Sequence, residues 1–329
     1  MFLSLFEIFK VGIGPSSSHT MGPMSAAELF LTTLKEHAGS GAAHRLRVSL
    51  HGSLAFTGKG HATDRAGILG LAGFAPAKRD PDVAEAELIR IGDEKTIVVR
   101  GFGTFEFSPN DDILFDYDEA LPDHANGMKI WAEDKSGTEI FGETYYSVGG
   151  GFVMTAAELE AQQGDQDDPA AAIPEEWNYP HPFVNAREML NMGREAGLSI
   201  AEMKYANEVA HLDASTVDGQ ITQIIDAMND CIDRGLSQHG ILPGGLSVKR
   251  RAADLFEQLV AEKSSNVSQP HAANEWMSVY ALAVNEENAA GGRVVTTPTN
   301  GAAGVVPAVL RYYRDHCLGA TQDGERTFL

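Results

Sequence analysis

A short turn near the start of the chain is dense in side chains that could do chemistry. Gly14-Pro15 is followed by Ser16, Ser17, Ser18, His19 and Thr20, and an apolar segment with helical spacing begins at Met24. One hydroxyl is enough to cap a helix, because a single side-chain oxygen accepts an amide of the first turn. The other hydroxyls and the imidazole are available to a ligand, unless the turn is only a cap with surplus polar groups.

The position of His19 at a helix start predicts its charge state. Unpaired amides and the helix dipole favour anions at this end of a helix, and they disfavour a protonated imidazole. We therefore expect a neutral His19 beside a place able to hold a carboxylate or a phosphate.

A second candidate is the turn from Thr57 to Asp64, with the sequence TGKGHATD. Its two glycines allow the backbone to approach a ligand closely, and Thr63 or Asp64 is predicted to cap the helix that follows. The turn presents His61 and Lys59, which could equally be an exposed loop histidine and a solvated charge. The pattern is not a phosphate-binding P-loop, because the lysine precedes the second glycine.

A third candidate lies near the end of the chain, where Asn285, Asn288 and Asn300 flank glycine-rich turns. Asn300-Gly301 is a turn signal, and glycines around it can expose backbone amides before a helix predicted from Val305. This arrangement favours a second place for a carboxylate. A tight connection between packed elements would explain the glycines but not the three asparagines.

Composition limits the partners of these groups. The chain has 329 residues, of which 43% are hydrophobic, and a formal net charge of −21. Its length predicts two folded domains, and its charge disfavours nucleic acid and anionic membranes as partners. No apolar run is long enough to span a membrane, and the first residues do not resemble a secretory signal, so we expect a cytoplasmic protein that acts on a small molecule.

The pattern along the chain predicts an α+β fold. Residues 1–152 mix strand signals, such as Leu46–Leu54, with helical segments, such as Met24–His37 and Thr63–Leu71. An acidic, Gln- and Ala-rich stretch then predicts a linker over residues 153–182. Residues 183–329 carry helical spacing with few strand signals, which predicts a mostly helical second domain.

Several long motifs, in order along the whole chain, carry a resemblance to a known family. They are LFEIFKVGIGPSSSHTMGP, TGKGHATD, TYYSVGGGF, CIDRG followed by ILPGGL, and ALAVNEENAAGGRVVTTPTNGAAGVVPAVL. Together they resemble the bacterial iron–sulfur L-serine dehydratases. The resemblance implies an N-terminal domain similar to the allosteric substrate-binding domain of some phosphoglycerate dehydrogenases, followed by a helical catalytic domain. It also implies L-serine as substrate, pyruvate and ammonia as products, and a homodimer.

The resemblance implies roles for the candidate residues. His61 is the leading candidate for the base that takes the α-proton, and His19 is a second active-site histidine. Candidates for contacts to the substrate carboxylate and hydroxyl are Ser16, Ser17, Ser18, Thr20, Asn300 and Gly301. An iron of a [4Fe–4S] cluster is expected to act as the Lewis acid on the poor leaving group.

The cysteines depart from the family pattern. A cluster takes three or four thiolates, and this chain has only Cys231 and Cys317, with Ala303 where some relatives have cysteine in NGACG. The resemblance places the ligands beyond Leu329, so we expect no cluster on this chain as given, and we expect it to be an inactive part of a longer protein.

Two other functions remain open from the residues. One is a non-catalytic module that senses serine. The other is a pyridoxal-phosphate lyase, which would need a Schiff-base lysine such as Lys59.

Overall fold

The computed structural model describes residues 4–37, 39–78, 81–164, 179–243, 246–263, 271–297 and 299–329. Up to Gly164 the chain alternates helices and strands, here called the α/β region. Its elements are α1 (Leu5–Ile8), β1 (Lys10–Ile13), α2 (Gly22–Glu36), β2 (Arg45–Leu50), α3 (Ser53–Phe56), α4 (Thr63–Leu71), α5 (Pro81–Glu94), β3 (Thr96–Val99), β4 (Gly103–Glu106), α6 (Pro109–Asp112), β5 (Ile113–Phe115), β6 (Gly127–Glu133), β7 (Glu139–Gly149), β8 (Phe152–Thr155) and α7 (Ala156–Gly164).

From Tyr179 onward the described chain is mostly helical, and we call this part the helical region. Its elements are α8 (Ala186–Ala196), α9 (Ile200–Val209), α10 (Ala214–Ser237), α11 (Ala252–Lys263), α12 (Ala272–Ala289), β9 (Arg293–Thr296), α13 (Val305–His316) and α14 (Gln322–Phe328). The order of a mixed α/β region followed by a mostly helical one confirms the predicted α+β fold class.

The strands β2 to β8 form one mixed sheet in the order β3-β4-β2-β6-β7-β8, with β5 beside β2. On β6, the buried residues Met128, Ile130 and Ala132 alternate with partly exposed ones, as expected for a strand with one face in the core. Helix α2 packs on that face through Phe30 and Leu34, which are fully buried among the strands. The sheet therefore provides a rigid base for α2.

Helix α4 lies directly against α2. Gly70 makes this approach possible, because a Cβ atom there would overlap the carbonyl oxygen of Met24. The turn carrying His19 leads into α2, and the turn carrying His61 leads into α4. Close packing of the two helices therefore brings the two histidine turns side by side.

The first residues of the chain pack on the helical region. Strand β1 pairs with β9 in antiparallel register, with Val11 opposite Val295 and Ile13 opposite Arg293. The carboxylate of Glu208 in α9 accepts a hydrogen bond of 2.7 Å from the Leu5 amide. The two regions are thus joined by a small sheet that neither could form alone.

Several predicted elements match the structure, and some boundaries differ. The predicted helix Thr63–Leu71 coincides with α4. The predicted strand 46–54 ends earlier, at Leu50, because Gly52 has a φ of 54° and turns the chain into α3. The segment predicted as a linker begins with β8, which pairs with β7, and with α7. Residues 165–178, also within it, lie outside the described residues.

Candidate active site

The His19 turn, residues 14–21, ends in a π-helical turn from Ser17 to Met21. Ser16 is its cap, since its Oγ accepts a hydrogen bond of 3.2 Å from the His19 amide. The helix continues without a break into α2 at Gly22, where a Cβ atom would overlap the Ser147 hydroxyl. One serine therefore serves as the cap, as the sequence indicated. Ser17 and Ser18 lie in the π-helical turn that follows it.

Both ring nitrogens of His19 are hydrogen-bonded to serine hydroxyls. Nδ1 lies 2.8 Å from the Oγ of Ser18, and Nε2 lies 2.9 Å from the Oγ of Ser53. In a neutral imidazole one nitrogen donates and the other accepts, and a hydroxyl can do either, so both contacts suit the uncharged ring.

The surroundings of His19 also favour its neutral form. Burial lowers the pKa of His19 from its ordinary value of 6.5, and the charge that His61 carries when protonated lowers it further, while Ser53 acts in the opposite direction. The direction agrees with the expectation from the sequence. The main physical cause is burial rather than the helix start.

The His61 turn, residues 57–63, fixes the orientation of its imidazole through one backbone contact. His61 Nδ1 lies 3.0 Å from the carbonyl oxygen of Thr57. A carbonyl only accepts, so in the neutral ring the proton is on Nδ1 and Nε2 carries the lone pair. Nε2 makes no hydrogen bond with any residue that the structure describes. This is the tautomer that a general base requires.

The predicted cap of α4 is wrong. Ala62 occupies the N-cap position in a left-handed conformation, with a φ of 52° and no side-chain hydrogen bond. The Asp64 carboxylate binds Lys59 instead, at 2.7 Å. The Thr63 hydroxyl crosses to the other turn, where it donates to the His19 carbonyl oxygen at 2.6 Å.

A second threonine makes the reciprocal contact between the turns. Thr20 Oγ1 donates to the carbonyl oxygen of His61 at 2.8 Å, and both Thr20 and Thr63 are buried. The two imidazole rings are consequently held with 4.8 Å between their centroids. The structure thus brings together the two histidines predicted as site residues.

The third predicted stretch contacts the His19 turn from the helical region. Asn300 Nδ2 donates to the Ile13 carbonyl oxygen at 2.8 Å, and Asn288 Nδ2 donates to that of Pro15 at 3.0 Å. Gly301 is exposed at the start of the turn that precedes α13. Asn300 therefore lies against the turn of the serines, with its amide bound to the backbone.

A cleft of about 560 Å³ lies where the two regions meet. The His19 turn contributes Gly14 and Thr20, the His61 turn contributes Gly60, and the helical region contributes Ala290 and Gly291. Each cation among the described lining residues has an acidic neighbour: Lys59 with Asp64, Arg65 with Glu85, and Arg234 with Glu287. The cleft therefore offers room for a small polar molecule beside both turns.

Two residues of this arrangement were not predicted as site residues. Ser53, the partner of His19 Nε2, begins a four-residue helix directly after the end of β2. Thr63 was assigned only to a cap. The signal of Ser53 in the sequence is weak, because it consists of a polar residue next to a glycine shortly after a strand, a position where polar groups often enter a site.

The described residues do not fit an iron–sulfur cluster. A cluster takes three or four thiolates, and the chain has two cysteines. Cys231 is buried in the core of α10, where burial raises the pKa of its thiol to about 12. Cys317 is exposed at the end of α13. The two thiols therefore do not form a cluster site.

Among the described residues, the spacing of possible metal ligands singles out His51, Asp116 and Glu119. His51 Nδ1 is already 3.0 Å from the Glu119 carbonyl oxygen, and its Nε2 is 2.8 Å from the Ser49 hydroxyl. Neither ring nitrogen is open to a metal ion in this arrangement. The contacts instead attach the loop after β5 to the end of β2.

Comparison with known proteins identifies the family. Residues 4–158 match the family model of the serine dehydratase beta chain, and residues 195–328 match that of the serine dehydratase alpha chain. An L-serine dehydratase of Streptomyces coelicolor is 44% identical over all of this chain and 70% of its own length. The chain belongs to the serine dehydratase family.

Other serine dehydratases are also similar to nearly all of this chain. L-serine dehydratase 1 of Escherichia coli is 43% identical over 96% of this chain and 67% of its own length. An L-serine dehydratase of Helicobacter pylori is 38% identical over 95% of this chain and 66% of its own length. The chain thus spans about two thirds of the length of these serine dehydratases. Among the residues described for this family member, no helix is long and apolar enough to cross a membrane.

Proposed function

We propose that this serine dehydratase family member removes water from L-serine by α,β-elimination and releases pyruvate and ammonia. The observation that carries the proposal is the open Nε2 of His61. The Nδ1 of the same ring lies 3.0 Å from a carbonyl oxygen, and the ring is next to a second imidazole whose pKa is lowered by burial. The relatives named L-serine dehydratase, matched along the whole chain, supply the substrate.

His61 is the base in this proposal. Its Nε2 takes the α-proton of L-serine, and the bond between Cβ and the hydroxyl oxygen breaks. The departing hydroxide takes up a proton and leaves as water, and His61 returns to its neutral form. The 2-aminoacrylate that remains tautomerises to an imine, which a second water hydrolyses to pyruvate and ammonia. The lowered pKa of His19 suits this step, because it favours an uncharged ring beside the imidazole that receives the proton, with 4.8 Å between the ring centroids.

The hydroxyls of the His19 turn contact the substrate in this proposal, but they are not equally available. The Ser16 and Thr20 hydroxyls are engaged with the protein backbone, and the Ser18 hydroxyl contacts His19. The Ser17 hydroxyl makes no hydrogen bond with a described residue. We therefore assign the first substrate contact to Ser17, with Ser18 next, and a backbone contact to Gly301.

The leaving hydroxyl needs an electrophile, and we propose from the family resemblance that a [4Fe–4S] cluster supplies it in the active enzyme. Cys231 and Cys317 do not fit as its ligands. We assign no residue of this chain to the cluster, and the roles of His61 and His19 do not depend on where it is held.

A pyridoxal-phosphate reaction has little support in the site. Lys59 has a side chain that is 70% exposed and paired with Asp64, whereas a Schiff-base lysine is activated in a desolvated pocket.

We also propose that the protein is a homodimer located in the cytoplasm. Analytical sedimentation would test the dimer, and cell fractionation would test the location.

Isotopic substitution at the α-carbon tests the proposal. The full-length, cluster-loaded enzyme should convert L-serine to equal amounts of pyruvate and ammonia, and α-deuterated L-serine should react more slowly because a C–H bond breaks. D-serine is the matched control. Binding of L-serine without any turnover would contradict the proposal and would support the serine-sensing module.

A further inference from the structure

We infer that Asn288 and Asn300 are positioning residues, which act as one unit to hold the His19 turn in place from the helical region. The inference rests on the proposed function, because the turn that the two residues hold carries His19, the second proposed active-site histidine. In this inference Asn300 acts through the His19 turn, rather than through the contact to the substrate that the resemblance implied.

The two side chains form a chain of hydrogen bonds that ends on the turn. Asn300 Nδ2 donates both to the Ile13 carbonyl oxygen, at 2.8 Å, and to Asn288 Oδ1, at 3.1 Å. Asn288 Nδ2 then donates to the Pro15 carbonyl oxygen at 3.0 Å. The carbonyls on both sides of Gly14 are therefore bound by amides from the helical region.

The backbone makes the same junction tight. The Gly14 amide donates to the Gly292 carbonyl oxygen at 3.0 Å, and a Cβ atom at Gly14 would overlap the carbonyl oxygen of Asn288. Residues 288 and 292 thus touch Gly14 directly, while the two side chains hold its neighbours. A shift of α12 would move the turn with it.

Burial shows why both residues need to be amides. Asn300 is 2% exposed and Asn288 is 9% exposed, so loss of a donor in either place is costly. Asn300 Oδ1 has no hydrogen-bond partner among the described residues, whereas Asn300 Nδ2 donates to both Ile13 and Asn288. Asn288 must accept through Oδ1 and donate through Nδ2 at the same time. A carboxylate has the same shape but cannot donate, so aspartate would break the chain of hydrogen bonds.

The bound carbonyls lie next to the groups that orient His19. Pro15 is followed by Ser16, whose hydroxyl caps the π-helical turn and whose carbonyl oxygen accepts from the amides of Thr20 and Met21 at 3.1 Å. Releasing the Pro15 carbonyl therefore loosens the cap before any residue of the sheet is affected. The first consequence is faster opening of residues 16–21.

Hydrogen exchange of the full chain tests the inference without using turnover. In Asn288→Asp and in Asn300→Asp, we expect the amides of Gly14, Thr20 and Met21 to exchange about tenfold faster, the effect of losing one net hydrogen bond to a buried group. The amides of β2 should follow only the change in overall stability. If the two side chains act as one unit, the double variant should exchange no faster than the more severe single variant.

Asn207→Asp is the matched control. Asn207 is fully buried in α9 and bridges the amide and carbonyl of His181 at 2.7 and 2.8 Å, away from the His19 turn. Its replacement should leave the exchange ratio of Thr20 to β2 unchanged. Asn288→Ala, at the more accessible position, provides a milder variant if Asn300→Asp does not fold.

Equal acceleration of the Thr20, Met21 and β2 amides in the position 288 and 300 variants would overturn the inference, because it would show only global destabilisation. Loss of L-serine turnover with unchanged exchange would also overturn it. A third outcome separates the two proposals. If the variants show the expected faster exchange of the turn amides but the wild-type enzyme does not convert L-serine, the positioning role holds and the proposed function is rejected.

Discussion

The His19 turn and the His61 turn both precede helices of the α/β region, but they treat their imidazoles in opposite ways. His19 has a serine hydroxyl on each ring nitrogen, within 2.9 Å. His61 has one carbonyl on Nδ1 at 3.0 Å and an open Nε2. The two histidines are therefore distinguished by the partners of their ring nitrogens. Residue type and position at a helix start are the same for both.

The turns also differ in how their backbones are stabilised. Ser16 caps the His19 turn with its hydroxyl, whereas the His61 turn enters α4 through Ala62 in a left-handed conformation without a cap. Contacts across the turns make up for this, since Thr20 and Thr63 each donate to the other turn. The two turns are thus joined by hydrogen bonds in both directions, and the left-handed Ala62 directly follows the proposed base in the chain.

The largest effect expected from this comparison is on turnover. His61→Gln removes the open nitrogen, so kcat of the loaded enzyme for pyruvate formation should fall about 100- to 10,000-fold, the usual contribution of a general base. His19→Gln should cost clearly less, because its nitrogens bind serines rather than the substrate. The exposed His239, paired with Asp254, provides the control His239→Gln. An equal loss at positions 19 and 61 would remove the distinction between the turns.

The contacts between the turns should have the next largest effect. Thr63→Val keeps the side-chain shape but leaves the His19 carbonyl unbound in a buried place, which should lower the free energy of unfolding by about 1–3 kcal/mol. Urea denaturation measures this, and Thr32→Val on the exposed side of α2 is the control, with an expected change near zero. A value for Thr63→Val as small as for Thr32→Val would show that the contact does not stabilise the pair.

Loss of the cap on the His19 turn is predicted to be smaller. Ser16→Ala should destabilise the protein by about 1 kcal/mol, as is typical when a capping hydroxyl is removed. Ser16→Thr, which keeps the hydroxyl, should recover most of the loss in thermal denaturation. Equal melting temperatures for the alanine variant and the wild type would mean that the turn is held without its cap.

The uncapped turn should respond in the opposite direction. Ala62→Gly removes the steric cost of a left-handed residue, with a φ of 52°, and should stabilise the protein by about 0.5 kcal/mol. Ala66→Gly, in the regular part of α4, should instead destabilise it. If Ala62→Gly also destabilises the protein, the left-handed conformation is not a source of strain.

The smallest expected effect is on the titration of His19. His61→Gln removes a neighbouring charge and should raise the pKa of His19 towards 6.5, measured by NMR of the imidazole. The lowered pKa in the folded state means that the unfolded chain binds the proton first as the pH falls. Stability linked to His19 is therefore complete above pH 6.5 and is lost on acidification, and this dependence should weaken in the variant. A pKa that does not move would exclude His61 as a cause.

The fold was predicted most accurately where local signals were strong. The apolar spacing of Thr63–Leu71 marked α4 at its observed ends. Boundaries were missed where a single conformation decides them, as at Gly52, whose positive φ ends β2 and places Ser53 beside His19. A glycine in the sequence shows that such a turn is possible but not that it occurs.

The candidate site was predicted in its residue types but not in its connections. The motifs indicated His19, His61, the serines and Asn300, whereas the cap assigned to Thr63 was wrong because that hydroxyl spans 44 positions to reach the His19 carbonyl. Ser53 was missed for the same reason, since its partner is 34 positions away. Hydrogen bonds over such separations leave no periodic pattern in the sequence.

The sequence by itself determined the two-part α+β fold, the family, and the two histidine turns, because apolar periodicity, turn residues and long motifs are local properties. Tertiary packing was needed to show that both ring nitrogens of His19 are bound whereas Nε2 of His61 is open. It was also needed to show that β1 pairs with β9, with Ile13 opposite Arg293, 280 positions further along the chain, so that helical-region amides bind the His19 turn. These features depend on packing α2 against α4 and on joining the two regions, and packing is decided by the whole chain at once.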